Sequence, residues 1–292
     1  MATALRYRAP APMLFVIGAV SMYAGAAVAV GLFSLLAPAA VAVLRMLGAA
    51  AVLLAWRRPA AAAWRGARLG RAAAFGLATA GMNIAFYEAI ARLPLGTAVA
   101  VEFCGPVAVA AVASRRPRDV AAVVLAAVGV ALIADVRWSG SPSGVLWALA
   151  AAALWAAYIV LGKRVAGAGN GLDDMAVGFA VAAVVLSPLL FFGGGTGRVG
   201  LAALADPLVL VLAVGVGVLS SVVPYVLDQI VLRRVGQARF AVLLALLPAT
   251  ATIVGLIALG QVPSPLEAVG IAAVVAAVSL RSRDGDAPEP LG

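Results

Sequence analysis

The sequence has no histidine, one cysteine, and charged residues at only 11% of its 292 positions. Each shortage removes a class of function. Without histidine there is no Ser-His-Asp triad, no imidazole relay and no histidine metal site. A single thiol, Cys104, forms no intrachain disulfide and no zinc cluster; set in an apolar run, it reads as a small buried hydrophobe. No Gly-rich phosphate loop ends in Lys-Ser or Lys-Thr, and the glycines at 193–195 and 197 lack that lysine. Neither a metal nor a cofactor is expected, and active transport would have to draw on an ion or solute gradient.

The shortage of charge decides the class. Soluble domains are about 25% charged and about 45–50% apolar; this chain is 65% apolar and cannot cover a water-facing surface. A net charge of +9 would suggest nucleic acid in a soluble protein. Here the basic residues sit between apolar runs, where they meet anionic lipid headgroups, and no basic run alternates with exposed aromatics. The expected partner is the lipid bilayer, not nucleic acid.

A helix crossing the hydrocarbon needs about 20 mostly apolar residues. Such runs occur at 12–33, 36–55, 71–91, 95–114, 119–136, 144–162, 175–192, 207–231, 238–259 and 264–280. Short breaks separate them, among them Leu35-Leu36-Ala37-Pro38, Arg92-Leu93-Pro94 and Gln261 to Pro265. Arg6 and Arg8 precede a run too long for a signal-peptide core, so the first segment is expected to stay as a helix. The expected fold is an all-α integral membrane protein of ten transmembrane helices. Charge tests the count independently. With the N-terminus inside, only Arg92, Arg137 and Arg198 of the 21 lysines and arginines fall outside, 17 fall inside, and Arg45 lies within a span. Adding or losing one helix would destroy that bias, so the positive-inside rule supports ten spans with both termini in the cytoplasm of a plasma or inner membrane.

A faint repeat runs through the chain. Tyr87-Glu88-Ala89-Ile90 followed by Gly96 is echoed by Leu227-Asp228-Gln229-Ile230 followed by Gly236. Gly105-Pro106 is echoed by Leu247-Pro248, and Pro117-Arg118-Asp119 by Ser264-Pro265 and Glu267. Five helices per half is an odd number, so the second copy enters the membrane inverted. The expectation is two inverted five-helix repeats, 12–136 and 144–280, with a solute site near the midplane between them. Pro106, Pro224 and Pro248 bend their helices, either as ordinary kinks or as gating bends beside a cavity.

Charges inside spans need a reason, because hydrocarbon penalises them unless they are paired or wet. Arg45 is too deep to snorkel and Glu102 is a natural counter-charge. They form either a structural ion pair or a substrate site, in which guanidinium holds a carboxylate and Glu102 meets an ammonium or carries a proton. Glu88 and Asp228, the echo pair, lie near span ends; if inverted, they face opposite membrane sides and suit gating or coupling, or are helix-end charges. Tyr23, Asn83, Tyr87, Trp155, Tyr158 and Tyr225 are candidate cavity residues, the alternative for the aromatics being interface anchoring or core packing. Asn83 and Tyr87 share a helical face, as do Trp155 and Tyr158. Trp56, Trp64 and Trp138 read as interface or loop residues. Ser21, Thr79, Thr97, Ser220, Ser221, Thr250 and Thr252 are expected to bond to neighbouring backbone.

The sequence resembles the EamA branch of the drug/metabolite transporter superfamily, nearest within it to threonine/homoserine exporters. Residues 12–281 carry the likeness, above all Gly81-Met82-Asn83 to Tyr87, Leu93-Pro94-Leu95-Gly96, Val101-Glu102-Phe103-Cys104-Gly105-Pro106 and Ser114-Arg115-Arg116-Pro117. Arg45, the Trp155–Tyr158 region and Leu246-Leu247-Pro248 match as well. The resemblance implies ten helices in inverted repeats, cytoplasmic termini, and export of small metabolites through a central cavity, with Arg45 and Glu102 as its polar residues. The expected function is secondary transport of small metabolites, amino acids such as threonine or homoserine, by alternating access, with proton antiport through Glu102 or facilitated export. The alternatives are an exporter of drugs or other metabolites, a channel, or a lipid-modifying membrane enzyme, which would need an interfacial cluster of polar catalytic residues. No feature selects an oligomeric state.

Overall fold

Prolines punctuate this chain, opening helices where a missing N–H is harmless and interrupting them where it is not. The computed structural model describes residues 10–113, 117–138, 141–166, 171–192, 202 and 205–282. Arg6, Arg8, Ser114 to Arg116, the glycines at 193–195 and 197, Arg198 and Arg283 lie outside the described residues, as does the side chain of Trp138. All secondary structure among the described residues is helical. The helices are α1 (Ala11–Leu32), α2 (Pro38–Arg57), α3 (Gly66–Ile90), α4 (Leu95–Glu102), α5 (Cys104–Ala113), α6 (Pro117–Trp138) and α7 (Pro142–Ala166). After these come α8 (Gly171–Leu186), α9 (Leu189–Phe192), α10 (Pro207–Gly217), a π-helical turn (Val218–Val222), α11 (Val223–Leu244), α12 (Leu246–Leu259) and α13 (Pro265–Ser282). A 3₁₀ turn, Ala61–Trp64, joins α2 to α3.

Four segments are long and apolar enough to cross a membrane: Ala11–Leu32, Pro38–Arg57, Pro142–Ile159 and Pro207–Asp228. Shorter apolar helices run over Leu95–Val109, Val120–Ile133, Leu246–Leu259 and Pro265–Leu280. Large aliphatic side chains point outward, with Ile257 79% and Val184 70% exposed, as suits a lipid surround and not water.

Interior prolines account for the interruptions. Pro106 has no N–H for the Glu102 carbonyl, and the helix breaks at Phe103. Pro248 likewise cannot serve Leu244, and the break falls at Ala245. Pro224 cannot serve Ser220, and the π turn lies just before it. The loop expected between 231 and 238 is not where the helix stops: Val223–Leu244 stays helical through that stretch. Those residues include one glycine and no proline, so nothing local halts the hydrogen-bond ladder before Pro248 acts.

Small residues let backbones touch. On α3, Ala72 and Gly76 face Gly178 of α8: a Cβ at Gly178 would run into the Ala72 carbonyl oxygen and stand 3.3 Å from Gly76 Cα. On α10, Ala213 and Gly217 face Gly48 of α2 in the same way, a Cβ at Gly217 lying 2.7 Å from the Arg45 carbonyl oxygen. Ala213 and Gly217 follow Ala72 and Gly76 at one and the same sequence offset.

Polar contacts tie the two ends of the bundle. At one end, Gln261 Oε1 accepts from the Leu95 N–H at 2.8 Å, capping α4 from the α12–α13 connection. Beside it Thr97 Oγ1 donates to the fully buried Glu267 at 2.9 Å. Ser264 and Glu267 close a capping box on α13. At the other end, Arg57 pairs with Asp173 at 2.9 Å and Arg68 with Asp174 at 2.6 Å, placing two cations on the first turn of α8, where acids also suit the helix dipole.

The glycine contacts set a stability test. Gly178→Val should destabilise the protein by about 1–3 kcal/mol through overpacking. Gly215→Ala, where nothing lies within 4 Å, should be neutral or stabilising by about 0.5–1 kcal/mol. Thermal unfolding of both variants in detergent checks the pair, and an equal Tm for the two would contradict the packing account.

Candidate functional site

A cavity of about 290 Å³ lies among α1, α2, α3, α4, α5, α7, the π turn, α11 and α12. That is the lower edge of the range for small-molecule sites, roughly 300–1,000 Å³. At the Gln261 end Leu32, Leu36, Leu93, Leu95 and Val145 are all buried in one apolar cluster.

Arg45 is the fixed centre. Pro224 leaves the Ser220 carbonyl without its α-helical donor, and Arg45 Nη2 donates to that oxygen at 2.7 Å. Its Nε donates to Ser221 Oγ at 3.1 Å, and Nη1 reaches the Tyr87 hydroxyl at 3.4 Å with the guanidinium 5.5 Å from the Tyr87 ring centre. A charge otherwise costly to bury is therefore held by neutral acceptors from two other helical segments. No ion pair joins it to Glu102. Glu102 is buried and lines the cavity with no hydrogen-bond or ion-pair partner among the described residues.

The structure gathers most of the other candidates here. Tyr23, Trp155, Tyr158, Tyr225, Asp228 and Pro106 line the cavity, as does Pro224. Ring contacts steady them: Phe103 packs edge-on against Trp155 at 4.8 Å, Phe75 against Tyr158 at 4.8 Å and Phe179 against Tyr225 at 6.2 Å. Tyr87 stands behind Arg45, and Asn83 is buried beside it, donating to Met46 Sδ at 3.7 Å. Pro248 is buried next to the cavity-lining Leu247. Glu88 lies apart, paired with Arg92 one turn on. Asp228, by contrast, lines the cavity without a partner among the described residues.

The hydroxyls divide by role. Thr79, Thr250 and Thr252 bond to carbonyls four residues back in their own helices. Ser21 and Ser220 instead bond across helices to Leu219 and Met22, while Ser221 takes Arg45 and Thr97 takes Glu267. Sequence reasoning missed the cavity residues Phe15, Met22, Phe86, Phe240 and Leu244. Only the role of Ser220 had a legible signal, since the carbonyl four residues before a proline always lacks its donor.

Arg45→Lys keeps the charge but loses the fork that reaches three acceptors at once. It should lower stability by about 1–3 kcal/mol, and Tyr87→Phe by about 0.5–1.5 kcal/mol, read by thermal unfolding in detergent. An unchanged Arg45→Lys would mean that those contacts carry no weight.

The chain is similar to several known proteins. Residues 142–283 match the EamA-like transporter family. The chain is 38% identical over 200 residues to the threonine/homoserine exporter RhtA of Escherichia coli strain K12, and 39% identical over 200 residues to RhtA of Salmonella typhimurium strain LT2. Each alignment covers 68% of this chain and 65% of the relative's length. A solved crystal structure of a protein, 19% identical, superposes over 92% of this chain and 95% of that one with a TM-score of 0.59, a likeness of fold alone. The likeness to the EamA-like transporter family is thus carried by residues 142–283, and the chain spans 65% of the length of the curated relatives it matches.

Proposed function

We propose that this protein is a secondary transporter that exports small metabolites, amino acids such as threonine or homoserine, across a cell membrane by alternating access. The observation that carries the reading is the cavity itself: a fixed guanidinium and a buried carboxylate, Glu102, that has no partner among the described residues share one small space. That pair is complementary to a zwitterion, the guanidinium taking the carboxylate and Glu102 the ammonium. The cavity's modest volume favours a metabolite over a bulky drug. The relatives' names, threonine/homoserine exporters, point to the same solutes. Family and relatives are transporters, so we read the chain as a transporter and not as an enzyme.

Ten spans in two inverted five-helix repeats, 12–136 and 144–280, with both termini in the cytoplasm, complete the proposal. The backbone contacts support it: Ala72 and Gly76 on Gly178 repeat as Ala213 and Gly217 on Gly48, as a pseudo-twofold relation between halves requires. The breaks before Pro106 and Pro248 repeat in the same manner. With that topology the Gln261 end faces outward and the Arg57 end faces the cytoplasm. Proton coupling is assigned to Glu102, which alternates between holding a proton and holding the solute's ammonium.

Efflux from vesicles containing purified protein tests this reading. Glu102→Gln should abolish the pH dependence of efflux and lower its rate, and Arg45→Ala should lose carboxylate-bearing solutes first in a solute panel. Undiminished, equally pH-dependent efflux by a folded Glu102→Gln protein would sink the proton assignment; absence of transport by the wild type would sink the function.

A further inference from the structure

The cavity is bordered by three charged side chains, Arg45, Glu102 and Asp228. Transport of a zwitterion, the reading on which this inference rests, employs only the first two. Three of Arg45's five N–H groups are held by protein, leaving two for a solute carboxylate. Glu102 takes the ammonium. Asp228 is left over, three residues beyond Tyr225 and hence on the same face of α11. Tyr23 and Tyr225 lie within electrostatic reach of both carboxylates, so the two acids border a single space.

Asp228 has no hydrogen-bond or ion-pair partner among the described residues, and it borders the cavity, where water can bond to it. When a solute displaces that water, an aliphatic side chain leaves the acid unsatisfied, whereas a side chain ending in O–H or N–H restores the bond. The same logic lets sites built around a substrate hydroxyl reject analogues that lack it. Glu88, its counterpart in the sequence repeat, is already occupied by Arg92 and has no such capacity. We propose that Asp228 is a specificity residue that accepts a hydrogen bond from the solute's side chain, selecting amino acids with a hydroxyl or amino donor over aliphatic ones of equal size.

Threonine and valine differ by a hydroxyl in place of a methyl group, which makes them the working probes. Vesicles containing wild-type protein should export threonine in preference to valine by about tenfold. Asp228→Leu should bring that ratio close to one, and the volume-conserving Asp228→Asn should reduce it. Serine against 2-aminobutyrate on the unaltered protein repeats the comparison without any variant and should give a preference of the same sign. Transport of both solutes at equal rates by the wild type, or a ratio unchanged in folded Asp228 variants, overturns this assignment and leaves the exporter reading standing. Failure to transport any of the four overturns the exporter reading and the assignment with it.

Discussion

A guanidinium buried among apolar helices must find acceptors, and the arrangement around Arg45 follows from how it does so. Water is scarce there, and hydrocarbon penalises an unpaired arginine by about 2.5–3.5 kcal/mol on insertion scales. The acceptor comes from a defect in another helix. Pro224 withholds an N–H, the ladder loosens into the π turn at Val218–Val222, and the Ser220 carbonyl turns to Arg45 Nη2. One proline thus bends a helix and creates a partner for a charge on α2.

The small residues make this reach feasible. Gly217 lies against the Arg45 carbonyl and Gly48 against α10, so the helix bearing Arg45 and the chain bearing Ser220 meet with no side chains between them. Close approach of this kind is how helices associate where apolar surface gains nothing by leaving the solvent. The polar ties at the two ends differ in kind. The Gln261 end is held by buried hydrogen bonds around Glu267, the other by ion pairs to Asp173 and Asp174 that are partly exposed. Exposed ion pairs contribute little and respond to salt, so the Arg57 end is the one less firmly tied.

Much of the fold was legible because apolar run length and proline position act locally. The breaks at Leu35 to Pro38, at Arg92 to Pro94 and before Pro265 all fall where the sequence places them. The stretch from 232 to 237 misled because charge alone does not stop a helix. Arg45 and Glu102 stood out as rare polar residues in apolar runs. The aromatic walls did not, since Phe15 and Phe240 meet at 5.7 Å only through tertiary packing. Glu88 and Asp228 looked equivalent as an echo, yet a distinction was available: Arg92 lies four residues after Glu88, the favourable helical spacing for an acid–base pair, and Asp228 has no basic residue at that distance.

The neutral hold on Arg45 also bears on why a cavity of this kind suits a carrier. Were the guanidinium free to swing, it would collapse onto the nearest carboxylate, and a solute would have to break a buried ion pair before it could bind. Ser220, Ser221 and Tyr87 compete for the guanidinium and keep it off Glu102. On the proposed reading, both halves of a zwitterion site then stay open at once, the cation by being pinned and the anions by having no partner among the described residues. A solute gains contacts at both ends without first rupturing any in the protein, and leaves at the same modest cost, which a carrier that must release its cargo requires.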